Sequence, residues 1–306
     1  MGKLVIAGVG LIGGSFALAI KSALAGRPDC PRIVGMGRSR ASLEEALALG
    51  VIDEIGRDWP SALAGADLVL LAIPVGQMAP VMQVIAPHLG PHTLVTDGGS
   101  TKSDVIAAAR AAFGEKVGQF IPGHPIAGAE KSGVAAAKAD LYLGKRVVLT
   151  PLPENRPEDL DAVKRVWELA GAHVTMLAPE EHDRVFAAVS HLPHLLAFAL
   201  VHELACRDDA ERLFSFAASG FRDFTRIASS HPEMWRDICL ANRQALMKEL
   251  DAFMAELLKT RVLLASSNAV GLERMFAAAR ARREAWLAAQ LPAEEAGDYH
   301  CARHDD

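Results

Sequence analysis

A chain of 306 residues, 51% apolar, 6% aromatic and 23% charged, is long enough for one large core or two ordinary domains. Its formal net charge of −5 argues against nonspecific attraction to nucleic acid or to an acidic membrane, so neither is an expected partner. Cys30, Cys206, Cys239 and Cys301 form no close pair, which excludes a CxxC zinc or redox signature and fits reduced thiols in the cytosol.

The chain enters an apolar strand at Leu4 without a signal-peptide pattern, and Ile6 stands where a myristoylation signal wants Ser or Thr; a cytoplasmic protein is expected. The first half then alternates two periodicities. Leu4–Ala7, Arg32–Met36, Asp67–Ile73, Thr93–Thr96, Val117–Ile121 and Arg146–Thr150 are short apolar or β-branched runs. Between several of them lie Ala- and Leu-rich stretches with helical character: Leu11–Leu24, Ser42–Leu49, Met78–Pro87 and Lys102–Phe113. Strands alternating with helices imply a mainly parallel sheet covered on both faces, a Rossmann-type α/β domain over residues 1–178 that closes with a strand at His173–Leu177. From Pro179 to about Gln290 the signals are helical, giving an all-helical domain over 179–290. Val185–Cys206 is its most apolar stretch, but the histidines, Glu203 and Pro193 within it favour a buried helix over a membrane span, with a bend near Pro193. "PEMWRDICLANRQALMKELDAFMAELLKTRVLLAS" reads as a second long helix with Pro232 in its first turn. The polar tail 291–306 is expected to be flexible.

The first chemical signal is "KLVIAGVGLIGGSFA", which supplies Gly8, Gly10 and Gly13 in G-x-G-x-x-G spacing between an apolar strand and a helix. Alone that spacing is weak. In this context the first glycine permits the tight turn, the second lets the backbone approach a pyrophosphate, and the third allows close helix–strand packing. Leu11 and Ile12 between the glycines, and Ile73 and Pro74 at the end of the Asp67–Ile73 strand, are expected to line the same dinucleotide. After the second strand an NAD site often carries an acidic residue for the ribose hydroxyls. Here "GMGRSR" places Gly37, Arg38, Ser39 and Arg40 there instead. Gly37 removes the charge that would repel a 2′-phosphate, while Arg38, Ser39 and Arg40 offer donors to it, so NADP is the expected cofactor, with NAD as the alternative. An exposed basic turn would look the same.

In "VTDGGSTKSD", Ser100 stands where a strand ends and a helix begins, either capping that helix or facing a ligand. In "IPGHPIAGAEKSG", His124 sits in a loop after another strand; it could take a proton from an alcohol as hydride leaves, with Ser100 hydrogen-bonded to both. His191 and His194 in "VSHLPHLLAFAL" are three apart on one helical face, with no carboxylate at a convincing ligand spacing, so no metal site is expected. Asp223 and Arg226 are also three apart, either an ordinary ion pair or an Arg that binds a substrate carboxylate with the Asp orienting it.

Taken in order, "GVGLIGGS", "DGGSTKSD", "GHPIAGAEKSG", "LYLGKRVVLTP", "SHLPH" and "GFRDFTRIASS" resemble the prephenate/arogenate dehydrogenase family of tyrosine biosynthesis, from about residue 3 to the 270s. The resemblance implies a Rossmann domain, a helical domain that forms much of a homodimer, and an active site between them. It implies that His124 engages the substrate's ring hydroxyl, that Ser100 hydrogen-bonds near that hydroxyl and the nicotinamide, and that Arg226 binds a substrate carboxylate. His194 would position substrate, His191 would lie close by, and Glu130 would be a gate or polar contact. Gly37 replaces the Asp of some NAD-using relatives, and Ala129 replaces a Thr common in the family, which bears on substrate preference. No chorismate mutase or ACT part is expected, so inhibition by tyrosine would act at the active site. The implied reaction is oxidative decarboxylation of a cyclohexadienol carboxylate. Other readings of the same plan are a β-hydroxyacid dehydrogenase or imine reductase, and a non-catalytic NADP sensor.

Overall fold

The computed structural model describes residues 1–128 and 132–289; the tail 291–306 and Cys301 lie outside the described residues. In chain order the elements are β1 (Lys3–Ala7), α1 (Leu11–Ala23), β2 (Arg32–Met36), α2 (Arg40–Ala48), β3 (Glu54–Ile55), α3 (Trp59–Leu63), β4 (Leu68–Leu71), α4 (Met78–Ile85), β5 (Leu94–Asp97), α5 (Ser103–Phe113), β6 (Phe120–Ile121), β7 (Gly123–Pro125), β8 (Arg146–Leu149), α6 (Pro157–Leu169) and β9 (His173–Met176). Helices alone follow: α7 (Pro179–Phe186), α8 (Leu192–Ala205), α9 (Ala210–Ser215), α10 (Ser219–Thr225), α11 (Pro232–Ala241), α12 (Arg243–Ala265) and α13 (Ala269–Ala288). One compact unit runs Met1–Met247 and a second begins at Lys248.

Six strands form a parallel sheet in the order β3-β2-β1-β4-β5-β6. This is the doubly wound order in which the chain reverses direction across the sheet between β1 and β4, opening a crevice at their carboxyl ends. The period-two alternation of β1 explains the two cores. Leu4 and Ile6 face one side with Phe16, Ile20, Tyr142 and Trp167, while Val5 and Ala7 face the other with Met78, Met82 and Phe113. A second sheet pairs β7 antiparallel to β8, and β8 parallel to β9.

Several expectations are corrected by tertiary context. The loop expected around His124 is strand β7, which Gly and Pro at its two ends disguise because both depress β-propensity. The strand expected from Val117 begins only at Phe120, after a 3-10 stretch Gly114–Gln119. Glu54–Ile55 and Trp59–Leu63 form β3 and α3, too short to leave a periodic signal. The bend near Pro193 is a π-helical turn, Ala187–His191, just before it; Pro193 has no N–H for the carbonyl four residues back, and a wider turn relieves the ring's clash with it. The long second helix breaks at Asn242, whose side chain donates to Asp183 O at 2.7 Å. By length and composition alone the run Pro179–Ala205 could span a membrane. Its expected burial is only partly met, since 28% of its most apolar stretch is buried within this chain.

In the second unit, Asn268 caps α13 by accepting from Gly271 N at 2.8 Å, and Thr260 on α12 contacts Met275 Sδ on α13 at 3.5 Å. Met254, Leu258, Val262, Val270 and Phe276 remain exposed.

Candidate active site

The β1–α1 turn is shaped by its glycines. Gly8 adopts φ +92°, and a Cβ there would lie 2.3 Å from Ala72 O; at Gly13 it would lie 2.2 Å from Gly8 O. Neither position tolerates a side chain, so the turn stays flat and α1 packs hard against β1. Gly10, the N-cap of α1, has open space where a Cβ would be and brings no side-chain cap, so the first N–H groups of the helix are left for an anion. Gly10, Leu11, Ile12, Ile73 and Pro74 line a cleft of about 730 Å³; Gly8 and Gly13 sit behind it as shape-givers. This is the cradle a dinucleotide pyrophosphate needs.

The β2–α2 connection lies beside that turn, because Gly8 N donates to Met36 O at 2.8 Å. Arg38, Ser39 and Arg40 are exposed and do not line the cleft itself. Ser39 is engaged: its Oγ caps α2 by accepting from Ser42 N at 3.2 Å, and Arg40 pairs with Glu44 at 2.8 Å. A Cβ at Gly37 would meet only Leu43, at ordinary contact of 3.6 Å, so packing does not force a glycine there.

At the other side of the cleft stand Ser100, His124, His194 and Arg226, brought together from four separate segments. His124 is buried on β7 against the ring of Phe186, with centroids 4.8 Å apart. Its Nδ1 lies 2.8 Å from His182 Nε2, and His182 Nδ1 lies 2.9 Å from Asp183 Oδ1. Burial, helped by the nearby His182, Lys102 and His191, holds the His124 imidazole well below its ordinary value, so it is neutral at neutral pH.

The sequence signals missed the support beneath this histidine. Asp183 on α7 accepts from Lys102 N at 2.8 Å and Ser103 N at 2.9 Å, so it, and not Ser100, caps α5. The contacts from His182 and the two N–H groups outweigh burial and hold its carboxyl at about 2. Lys102 is fully buried, paired with Asp97 and donating to Gly123 O at 2.6 Å. Asp97 in turn accepts from Gly99 N at 2.8 Å and Gly123 N at 2.9 Å. The backbone on either side of the cleft floor is thus tied to one ion pair. The only sequence hint was the pair His182-Asp183 in the first turns of a helix just before "SHLPH".

His194 is stacked on Trp235 with centroids 3.6 Å apart, and its Nδ1 bonds Ser190 O at 2.9 Å. Burial lowers its proton affinity, and the Arg226 charge lowers it further. Because a carbonyl can only accept, Nδ1 carries the proton and Nε2 keeps a lone pair. Ser190, Ser229, Ser230 and His231 also line the cleft and were not singled out by sequence. His191 lies close by but is not part of the cleft lining. It is fully buried and bonds Asn242 through Nδ1 at 3.1 Å. It therefore stands behind the site; burial pushes it down to about 4. Glu130 and Ala129 lie outside the described residues.

A doubly wound sheet with a glycine-shaped phosphate cradle, opposite a neutral buried histidine, defines a dehydrogenase built on a dinucleotide-binding fold. Two family models match the chain: prephenate dehydrogenase, nucleotide-binding domain, over residues 22–176, and prephenate dehydrogenase, dimerization domain, over 178–278. The prephenate dehydrogenase of Bacillus subtilis is 39% identical over 92% of this chain and 75% of its own length. The cyclohexadienyl dehydrogenase of Zymomonas mobilis is 35% identical over 86% and 88%. Prephenate dehydrogenase from Aquifex aeolicus, solved with hydroxyphenyl propionate and NAD+, superimposes with a TM-score of 0.86 at 37% identity, covering 93% of this chain and 98% of that one. Synechocystis arogenate dehydrogenase gives 0.77 at 29% identity, over 93% and 99%. The chain belongs to the prephenate dehydrogenase family.

Proposed function

We propose that this chain catalyses the oxidative decarboxylation of prephenate, of arogenate or of both in tyrosine biosynthesis, with hydride transfer to NADP. The observation that carries the reading is His124: a neutral, buried imidazole in a cleft that also holds the glycine turn, Ser100, His194 and Arg226. The nicotinamide, when bound, accepts the hydride from the carbinol carbon. Gly10, Leu11, Ile12, Ile73 and Pro74 hold the dinucleotide. His124 takes the hydroxyl proton, and Ser100 orients that hydroxyl. Arg226 binds a substrate carboxylate, and His194 positions the substrate against the Trp235 face. Aromatisation drives loss of CO2, so positioning and one base suffice.

Arg38 and Arg40, beside the glycine turn and without an acidic neighbour at position 37, favour NADP through contact with its 2′-phosphate; the Aquifex relative's NAD+ complex favours NAD as the alternative. Residues 1–178 carry the cofactor and 179–290 the substrate side and a homodimer contact, in keeping with the dimerization domain matched over 178–278. Exposed Val189, Phe216 and Phe224 suit cover by a second copy. The enzyme works in the cytoplasm on a small-molecule substrate.

The test is initial rates of reduced-cofactor formation with prephenate or arogenate, each with NADP or NAD. Rapid reaction with NADP and either substrate is expected. Preference for NAD would reduce Arg38–Arg40 to a surface turn, and no reaction with either substrate would overturn the reading.

A further inference from the structure

His182 and Asp183 do not line the cleft, yet they form a continuous line of hydrogen bonds to His124, which does. We propose that His182 and Asp183 are positioning residues that form a proton store behind His124, fixing its tautomer and holding the substrate's hydroxyl proton during each turnover. The inference rests on the reading of His124 as the base.

The bonding pattern settles where the protons sit. Asp183 accepts two backbone N–H groups, from Lys102 and Ser103, and is an ionised acceptor. His182 must therefore present Nδ1–H to it across 2.9 Å. A neutral His182 then has a bare Nε2, and His124 must present Nδ1–H to that atom across 2.8 Å. What remains on His124 is a bare Nε2, the form a base requires. Without the dyad, either tautomer of His124 could form.

The same line explains how a buried imidazole can accept a proton. A cation on His124 would sit in a site that already disfavours charge. When the substrate O–H breaks, an N–H bond forms at His124 Nε2; the His124 Nδ1–H bond then breaks and an N–H bond forms at His182 Nε2. Three protons are present before and after, and the positive charge rests on His182 against the Asp183 carboxylate. Loss of CO2 leaves the ring oxygen as a phenolate, which takes the proton back and resets the line. The ring oxygen thus ends the turnover protonated, no net proton leaves, and the complete burial of His182 is no obstacle. The other charged groups around the line are Lys102, whose charge opposes a cation, Asp97, which offsets Lys102, Asp104 near Asp183, and His191.

Two measurements on the full chain test this. In spectra of 15N-histidine-labelled protein, with the signal assigned by its loss in His124→Gln, His124 should be protonated at Nδ1 and bare at Nε2; protonation at Nε2 overturns the proposal. The variant His182→Gln keeps an acceptor for His124 and a donor for Asp183 but cannot become a cation. Its kcat should fall about 10-fold to 100-fold, with KM and cofactor binding unchanged and the acid limb of the kcat profile moved to lower pH. A kcat and acid limb like those of the wild type overturn the proposal, as does a loss confined to KM. If the wild-type chain turns over neither prephenate nor arogenate, the proposed reaction fails by itself, and the tautomer of His124 still decides the store.

Discussion

Replacing Lys102 with Met keeps the length of the side chain and removes its charge. In the wild type both Lys102 and Asp97 are fully buried, and the ammonium also donates to Gly123 O. After the change Asp97 still accepts from Gly99 N and Gly123 N, but its charge has lost its counter-ion, and a buried carbonyl has lost its donor. Removing one partner of a buried pair costs about 3–5 kcal/mol. At about 2–4 °C per kcal/mol for a domain of this size, Tm should drop by about 6–20 °C in differential scanning calorimetry. The double variant Lys102→Met/Asp97→Asn no longer strands an anion and should recover about 1–3 kcal/mol of the loss. Because the pair anchors Gly123 next to His124, turnover should fall as well. A single-variant loss below about 1 kcal/mol, the range of an exposed pair, would refute the reasoning.

Stability should fall with acid well above the carboxylate range. His191 is held near 4 against an ordinary 6.5. The unfolded chain therefore binds a proton from pH 6.5 downward that the folded chain refuses until about 4, and this residue alone lowers stability by about 1.4 kcal/mol per pH unit, roughly 3 kcal/mol across the window. His124 and His182, also held low, act in the same direction, and Asp183, held near 2, extends the loss as pH falls below its ordinary 3.8. Urea midpoints at pH 7, 5.5 and 4.5 should decline in step; equal midpoints would mean these histidines are solvated. Gly13→Ala forces a Cβ against Gly8 O, 2.2 Å away, and should destabilise by about 1–3 kcal/mol and weaken binding of the nicotinamide dinucleotide at least about 10-fold by fluorescence titration. Unchanged affinity would detach the glycine turn from the cofactor. Arg226→Ala should raise KM about 10-fold to 100-fold, the equivalent of one charge-assisted contact, while kcat changes little; an unaltered KM would remove the carboxylate from that position.

Local pattern was enough for much of this molecule. The alternation of β1 between two faces, the helical runs between strands, and the glycine spacing at 8, 10 and 13 are short-range properties, written within a few neighbouring residues. They located the parallel sheet, the turn at its crevice, and the switch to helices at Pro179. The family motifs likewise pointed to Ser100, His124, His194 and Arg226, all of which line one cleft. Tertiary structure decided which side chains face that cleft and which stand behind it. Period and spacing place His191 and His194 on one helical face, but the π turn and the break at Asn242 bury the first and leave the second beside Trp235. Ser100 could by its position cap α5 or face a ligand; it lines the cleft, and the cap is Asp183, 81 residues after Lys102, because α7 docks at that helix end. The link from Asp183 through His182 to His124 left only the adjacent pair His182-Asp183 as a hint, and nothing around His124 says that this pair docks there. Hydrogen bonds between distant parts of a chain depend on how elements pack, and packing is set by the whole core rather than by the residues that the bonds join.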